Sequence, residues 1–178
     1  MKPDQWLAEH GAGASAREAL AFFDALDAVV PTDMLGRWRG SGLPTGSALD
    51  GLIEAYGWYG KEFLDGERVH PLLFATRSGP RPVDPALVPI GVLRDRPGLA
   101  HSRAARTAFR LARPLVTTSQ PRARLRSVEH RGVPTAAMVY DALPIIDVFR
   151  WVSDDVRLGL MDLRGLPAPF FFVLRRER

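Results

Sequence analysis

The last third of the chain constrains the fold most, because it alternates short apolar runs with turn signals about every ten residues. This pattern predicts five strands, over 122–130, 135–141, 145–152, 156–163 and 169–176. Connections this short cannot carry parallel crossovers, so consecutive strands must pair antiparallel. Two further strands, predicted at 35–43 and 71–75, bring the set to a size that closes or nearly closes a barrel.

Helices are predicted ahead of this meander. Ser15 and Glu18 form a capping box at the start of a helix over 15–30, which ends before Pro31. Apolar residues at helical spacing predict a second helix over 47–59 and a third over 101–113.

The remaining segment, 78–98, contains five prolines, which indicates a long connection with one short strand at 87–93. We therefore expect one mainly β domain over 1–178. It is a small antiparallel β-barrel with an N-terminal helix and one or two additional helices.

Composition excludes several classes of protein. The chain has no cysteine, so disulfides, zinc–thiolate sites and thiol catalysis are excluded. No apolar run approaches the roughly 20 residues of a membrane span. The N-terminal sequence is not that of a secretory signal, so we expect a cytoplasmic protein. The four histidines lack the spacing of a metal site, and we expect no metal.

Charge is unevenly distributed along the chain. Residues 1–70 contain 6 basic and 11 acidic side chains, whereas 94–131 contain 10 basic and 2 acidic ones. Every basic residue except Lys2 and Lys61 is an arginine. Two explanations stay open: the arginine usage of a GC-rich genome, or a cationic surface that meets an anionic partner.

Four arginines of the third predicted helix, spaced 3, 4 and 3 apart, share one helix face: Arg103, Arg106, Arg110 and Arg113. This stripe either meets an anionic membrane surface, contacts nucleic acid without specificity, or is an exposed face balanced by the acidic N-terminal third. Only Phe109 lies nearby to stack on a base, so no specific nucleic-acid partner is expected.

The strand at 35–43 has an unusual composition. Alternation places Trp38 on one face with three glycines, at 36, 40 and 42, which indicates a tightly curved strand where neighbouring backbone approaches closely. Trp38 then either lines a ligand site or plugs one end of the barrel.

This Gly-Arg-Trp-Arg-Gly segment resembles the motif of the bacterial Gly-X-Trp-X-Gly (GXWXG) family, which pairs such a module, here 30–76, with a C-terminal domain of unknown function, here the meander at 120–176. The resemblance covers about residues 30–176. It includes the segments 50–51, 57–61, 69–72, 138–141, 144–145, 147–150, 158–162 and 170–172.

The motif strand also resembles the first barrel strand of lipocalins, fatty-acid-binding proteins and haem-binding nitrobindins. The resemblance implies a calycin or lipocalin-like barrel with an internal cavity, often for a hydrophobic ligand. Nitrobindin-like barrels hold haem through a histidine near the C-terminus, and the last histidine here is His130. We therefore expect no haem and no other cofactor, and the resemblance implies no catalytic residue.

Charged residues within the apolar meander are candidates for a ligand site. On the strand at 145–152, Asp147 shares one face with Ile145, and Arg150 shares the other; both faces are mostly apolar, as though one lines a cavity and the other meets a helix or partner. Arg150 either binds a ligand carboxylate or phosphate or has a structural role. In the structural alternative, Asp147 or Asp162 pairs with Arg150 or Arg164, or some of these side chains reach solvent at strand ends. The other candidate ligand-binding residues are Asp162 and four aromatic residues: Trp38, Tyr56, Trp58 and Tyr140.

Three functions fit these observations. The first is a carrier of a lipid-like or other apolar molecule with an anionic head group. The second is an isomerase or hydrolase that uses Asp147 or Asp162 as a base in the same cavity. The third is an interaction module whose apolar outer face forms a homodimer. Tyr56, Trp58 and Tyr59 either form a lid over the cavity or are the buried face of the second helix.

Overall fold

A computed structural model describes residues 2–178, apart from the side chains of Leu93 and Arg94. This part of the chain contains nine strands: β1 Gly36–Leu43, β2 Trp58–Phe63, β3 Val69–Phe74, β4 Arg81–Pro82, β5 Ala123–His130, β6 Val133–Tyr140, β7 Ile145–Ser153, β8 Val156–Leu163 and β9 Phe170–Arg176. It also contains six α-helices: α1 Pro3–His10, α2 Ala16–Ala25, α3 Leu52–Ala55, α4 Ile90–Asp95, α5 Pro97–Ala100 and α6 Arg103–Val116.

Eight of these strands close into an antiparallel barrel. Neighbours around the barrel follow the order β1, β9, β8, β7, β6, β5, β3 and β2, and β2 pairs again with β1. The junction between β3 and β5 is the shortest, with Val69 paired to Ala123. The prediction of a mainly β, lipocalin-like barrel is confirmed, and the five strands of the meander begin and end within two residues of the expected positions.

The chain buries two separate apolar clusters. One fills part of the barrel interior. The other lies outside the barrel, where Leu7 of α1 and Phe23 of α2 pack on Val148, Phe171 and their neighbours. The apolar outer face that was considered as a homodimer surface is therefore covered by the N-terminal helices of the same chain.

The helix predicted over 15–30 is shorter than expected and ends at Ala25. Beyond it, the Val29 N–H donates to Thr135 Oγ1 at 2.9 Å, and the Val29 carbonyl accepts from the Ala136 N–H at 2.7 Å. β-Branched Val29 favours this extended conformation, so pairing with β6 prevails over the local helical pattern.

The helix predicted over 47–59 is wrong except for the single turn of α3. Gly51 and Gly57, which flank this turn, adopt left-handed φ angles of 70° and 81°. Trp58 then begins β2, the eighth barrel strand, which the pattern of apolar residues did not indicate.

The strand predicted at 87–93 is also wrong. A 3-10 turn at Pro85–Leu87 is followed by α4, and Pro89 sits at the position where a helix tolerates the missing N–H. The helix predicted over 101–113 is confirmed as α6, although it continues through Pro114. Short helices therefore cover one end of the barrel where a strand was expected.

Candidate ligand-binding cavity

One end of the barrel is closed by Trp38. Its indole is fully buried, and Nε1 donates to the Met34 carbonyl at 2.7 Å. Two guanidinium groups lie over the ring, with Arg176 Cζ 4.2 Å and Arg157 Cζ 5.2 Å from the centroid. Burial lowers the pKa of Arg157 to about 10, which leaves the group charged at neutral pH. Protein side chains therefore fill this end, which we call the closed end.

Two glycines let β1 and β2 approach each other. A Cβ on Gly40 would lie 2.1 Å from the ring of Trp58, so the missing side chain provides the space for that indole. A Cβ on Gly60 would lie 1.9 Å from the Trp38 carbonyl oxygen, and the Gly60 φ of 153° is one that side chains disfavour. The glycines of the tryptophan strand and of β2 thus position a second tryptophan, Trp58, in the barrel wall.

The opposite end, which we call the open end, contains a cavity of about 660 Å³ between the barrel interior and α3 to α6. Small-molecule sites usually have volumes of about 300–1,000 Å³. Among the described residues, Lys61 and Asp147 are the charged side chains in the lining. Uncharged polar atoms come from Tyr56, Trp58, Ser102 and Tyr140, and the rest of the lining is apolar.

Lys61 faces this cavity because β2 is irregular. Between Trp58 and Gly60 the register against β3 shifts by an extra residue, so that Trp58, Lys61 and Phe63 are all buried although strict alternation would separate the first two. A second shift, on the β3 side, falls near Pro71, whose carbonyl accepts a hydrogen bond from Lys61 Nζ at 3.1 Å. The two bulges thus turn a lysine inward and supply one of its acceptors.

Lys61 and Asp147 form a buried ion pair. Nζ lies 2.7 Å from Asp147 Oδ2, and both side chains are almost completely excluded from solvent. Nζ also donates to the Tyr140 hydroxyl at 3.5 Å and lies 5.0 Å from the centroid of the Phe172 ring. An ammonium group has three donors, and Pro71, Asp147 and Tyr140 accept all three. Because the charges of Lys61 and Asp147 are opposite, the pair has no net charge.

Two polar atoms in the cavity wall have no partner within the described chain. Asp147 Oδ1 and Trp58 Nε1 are buried, and neither makes a hydrogen bond. Burial raises the pKa of the Asp147 carboxyl above its ordinary value, and the charge of Lys61 opposes this shift. Burial also raises the pKa of Tyr140 well above its ordinary value, which keeps its hydroxyl neutral. The wall of the cavity therefore contains one buried acceptor and one buried donor without partners, among apolar side chains.

The helical cover is tied to the barrel by aromatic contacts. The Tyr56 hydroxyl donates to the Ala100 carbonyl at 2.7 Å, which joins the segment after α3 to the end of α5. Phe109 of α6 packs edge-on against Tyr56 and tilts against Phe74, with centroids 5.2 and 5.1 Å apart. Tyr56 thus belongs to the cover, whereas Trp58 belongs to the barrel wall.

Two known protein families match separate parts of the chain. The family described as "GXWXG protein" matches residues 21–79, and the family described as "Domain of unknown function (DUF4334)" matches residues 121–176. The chain belongs to the GXWXG–DUF4334 family. It is also similar to a protein from Thermomonospora curvata whose crystal structure is known, at 33% identity over all of both chains and a TM-score of 0.73. A comparison with curated proteins gave no match.

The structure of this GXWXG–DUF4334 protein brings four of the candidate ligand-binding residues together. Tyr56, Trp58, Tyr140 and Asp147 line the cavity. Trp38 lies at the closed end instead, and Asp162 is exposed on the outer side of β8, beside His130 and Arg131. Ligand binding stays a prediction for the four residues that line the cavity. Trp38 and Asp162 lie outside the cavity, so there is no longer a reason to expect them to bind the ligand.

Arg150 is likewise absent from the cavity lining. It lies on the opposite face of β7, fully buried beneath α2, with Cζ 5.1 Å from the centroid of Phe23 and a 3.4 Å hydrogen bond to the His130 carbonyl. Residues three apart on a strand face opposite sides, so Asp147 pairs with Lys61 and not with Arg150. An anionic head group in the cavity would therefore not meet Arg150.

Sequence reasoning missed Lys61, the central cation of the site. Its strand was assigned to a helix up to residue 59, and the bulge that turns it inward has no simple pattern in the sequence. One signal was available: apart from Lys2, Lys61 is the only lysine in a chain with 22 arginines. A slim ammonium group with three donors suits a site that a planar guanidinium would not fit.

Metal-binding clusters of side chains and membrane-crossing helices are both absent from the part of the chain that the structure describes. These residues contain no group of three or more histidine, cysteine, aspartate or glutamate side chains placed to hold a metal ion. No helix among them has the length and apolar character needed to cross a membrane.

Proposed function

We propose that this GXWXG–DUF4334 protein binds an apolar small molecule in the open-end cavity, with a neutral polar group of the ligand directed to Asp147. The observation that supports this most is the pairing of about 660 Å³ of apolar-lined space with two unpartnered polar atoms, Asp147 Oδ1 and Trp58 Nε1. Buried polar groups are normally hydrogen-bonded, and an unpaired one costs about 1–3 kcal/mol. A ligand hydroxyl can supply a missing partner, because it donates to an acceptor such as Asp147 Oδ1 and accepts from a donor such as Trp58 Nε1.

The head group is expected to be neutral. Lys61 and Asp147 compensate each other at 2.7 Å, and no arginine lines the cavity among the described residues. A carboxylate would approach the unpaired oxygen of Asp147, and an ammonium group would approach Lys61. Either charge would also lose its hydration on entering an apolar space, which is costly without a dedicated partner.

Calorimetric titration with ligands that share one chain length tests the proposal. Decanol, decanoate and decylammonium differ only in the head group. Decanol is expected to bind at least tenfold more tightly than either ion, a difference of about 1.4 kcal/mol. Shortening the alcohol should weaken binding by about fourfold per methylene, since each buried CH₂ contributes about 0.8 kcal/mol. Equal or tighter binding of decanoate contradicts the neutral head group.

A pair of variants on one helix tests the location. Ala112 lines the cavity and Thr107 is exposed on another face of α6. Ala112→Trp is expected to fill the cavity and abolish decanol binding, whereas Thr107→Trp should leave the affinity unchanged. Far-ultraviolet circular dichroism and thermal melting establish that both variants are folded. Unaltered binding by folded Ala112→Trp contradicts the assignment of the cavity.

Proton transfer is the second candidate function, and the raised pKa of the Asp147 carboxyl with its free Oδ1 favours it. A base in a cavity needs an open acceptor near the substrate and a donor for the developing negative oxygen. Asp147 Oδ1 supplies the first, and the Trp58 N–H or the Tyr140 hydroxyl supplies the second. Asp162 has no place in this reaction, because it lies outside the cavity.

Exchange of α-hydrogens in a ketone tests this candidate. Decan-2-one in deuterated water exposes the hydrogens beside its carbonyl to Asp147, which would remove one as a proton and return a deuteron. Nuclear magnetic resonance is expected to show faster exchange with the wild type than with Asp147→Asn. A rate equal to that of buffer alone leaves ligand binding as the function.

A further inference from the structure

Exposed apolar side chains are concentrated around the mouth of the cavity. Leu87 and Leu99 line the cavity and yet remain 58% and 55% exposed. On α6, beside them, Leu111 and Leu115 are 74% and 85% exposed, the two largest exposures among the described large apolar residues. Isolated exposed leucines are ordinary, but a cluster rimming a cavity marks a surface that meets another apolar phase.

The faces of α6 have separate compositions. Ala105, Phe109, Ala112 and Val116 follow helical spacing and line the cavity. Leu111 and Leu115, four residues apart, lie on one flank of this stripe. The four arginines 103, 106, 110 and 113 lie on the other flank, and the helix contains no acidic residue. A solvent-exposed helix with apolar and cationic faces and no acid has the character of an interfacial helix.

We propose that the open end docks on an anionic lipid bilayer, with Leu111 and Leu115 inserted among the acyl chains and the arginine stripe on lipid phosphates. Arginine pairs well with phosphate, and each basic residue near an anionic surface strengthens binding by about fivefold. Because Leu87 and Leu99 border the same surface, the cavity mouth faces the bilayer in this orientation. The docking surface is independent of the proposed ligand, since its test uses vesicles and no cavity ligand.

Charge favours a bilayer over a second copy of the chain. In a twofold dimer the same patch would lie on both subunits, so the arginine stripes would face each other with no acid on α6 to compensate them. Of the acidic residues in the first third, Asp50 and Glu54 lie at α3, where their carboxylates accept hydrogen bonds from backbone N–H groups at 45–47 and at 42. The helices α1 and α2 pack against the outer face of the barrel. Arg103 and Arg110 are exposed, whereas Arg113 donates to the Ala75 carbonyl at 2.8 Å, so the exposed charge of the stripe comes mainly from Arg103 and Arg110.

Sedimentation with lipid vesicles tests the proposal. The protein is expected to bind vesicles that contain phosphatidylglycerol at least tenfold more tightly than vesicles of phosphatidylcholine alone, and added salt should weaken this binding. The double variant Leu111→Ser/Leu115→Ser and the double variant Arg103→Gln/Arg110→Gln should each lower the partition coefficient by tenfold or more. Circular dichroism and melting curves establish that α6 and the barrel remain folded.

Matched substitutions at a distance serve as controls. Leu64 is an exposed leucine in the turn between β2 and β3, at the closed end, and Arg17 and Arg178 are exposed arginines outside α6. Leu64→Ser and Arg17→Gln/Arg178→Gln should change vesicle binding less than twofold. Two results would overturn the proposal: no preference for anionic vesicles, or an equal loss of vesicle binding in the controls. Light scattering that shows a dimer lost in the leucine variant would also overturn it in favour of a second copy.

Discussion

The two ends of the barrel differ in what surrounds their buried charges. At the closed end, Arg157 and Arg176 lie over Trp38, and their guanidinium groups donate to backbone carbonyls such as those of Leu35 and Val156. At the open end, Lys61 and Asp147 are paired beside empty volume. Both ends contain buried cations, but only the open end combines them with space and with an unpartnered carboxylate oxygen.

The contrast teaches how to separate structural charges from a ligand site. A buried charge surrounded by filled volume, like Arg157 against Trp38, stabilises the fold through stacking and hydrogen bonds to the backbone. A buried, unpartnered acceptor on a residue that lines a cavity, like Asp147 Oδ1, leaves a cost that a ligand can remove. Substitutions at the closed end should therefore change stability, and substitutions at the open end should change binding.

The largest effect on stability is expected at Gly60 of β2, which lies against the backbone of Trp38 and two residues after Trp58. Gly60→Ala would place a Cβ against the Trp38 carbonyl, so a destabilisation above about 4 kcal/mol or a failure to fold is expected. Gly57→Ala is the matched control, because Gly57 also has a positive φ but a Cβ there would have no other atom within 4 Å; it should cost about 1–2 kcal/mol. Urea unfolding measures both, and similar values for the two would contradict the close approach of β1 and β2.

Removing one partner of the ion pair should have the next largest effect. Lys61→Met or Asp147→Leu is expected to cost about 3–5 kcal/mol of unfolding free energy, because each leaves the other group buried without its partner. The double variant Lys61→Met/Asp147→Leu should recover most of this loss while it removes the preference for decanol. Additive losses in the double variant would mean that the two side chains do not interact.

Two tryptophan substitutions compare the ends directly. Trp38→Phe and Trp58→Phe remove the same indole N–H, but Nε1 of Trp38 donates to the Met34 carbonyl and Nε1 of Trp58 has no partner. Trp38→Phe should therefore be less stable than Trp58→Phe by about 1–3 kcal/mol. Only Trp58→Phe should weaken decanol binding. A lower stability of Trp58→Phe than of Trp38→Phe, together with weaker decanol binding by Trp38→Phe, would contradict the assignment of the ligand to the open end.

The smallest effect concerns pH and lies outside the cavity. Burial lowers the pKa of both His70 and His130 below the ordinary value of 6.5. The unfolded chain then binds more protons than the folded chain between the lowered pKa and 6.5, so stability falls as the pH drops through this range. His70→Gln and His130→Gln should each reduce the dependence of the unfolding free energy on pH between pH 7 and pH 5, as measured by urea unfolding at each pH. An unchanged pH dependence in both variants would exclude the two histidines as its source.

Much of the barrel was predictable because a strand meander has a strong local pattern. The alternation on β7 correctly placed Asp147 and Arg150 on opposite faces of the strand, since period two follows from backbone geometry alone. The Trp38 strand was also predicted, and neighbouring backbone does approach it closely at Gly60 of β2, whereas its own Gly40 provides space for the ring of Trp58. These features depend only on neighbours in sequence or on one adjacent strand.

The candidate site was less predictable because it depends on irregular structure. The bulge in β2 that turns Lys61 inward arises from pairing with β3, and an apolar pattern typical of a helix hid that strand. The helices that cover the cavity lie in a segment whose prolines predicted a connection with a strand. Tertiary contacts decided both, so sequence could supply Asp147 but not its partner.

A crystal structure of the protein with bound decanol would test the open-end cavity most directly. The proposed function predicts electron density for the alkyl chain of decanol between the barrel and α6, with the decanol hydroxyl oxygen about 2.7 Å from Asp147 Oδ1. Decanol bound elsewhere, or side chains of the protein filling the space above Lys61 and Asp147, would contradict it.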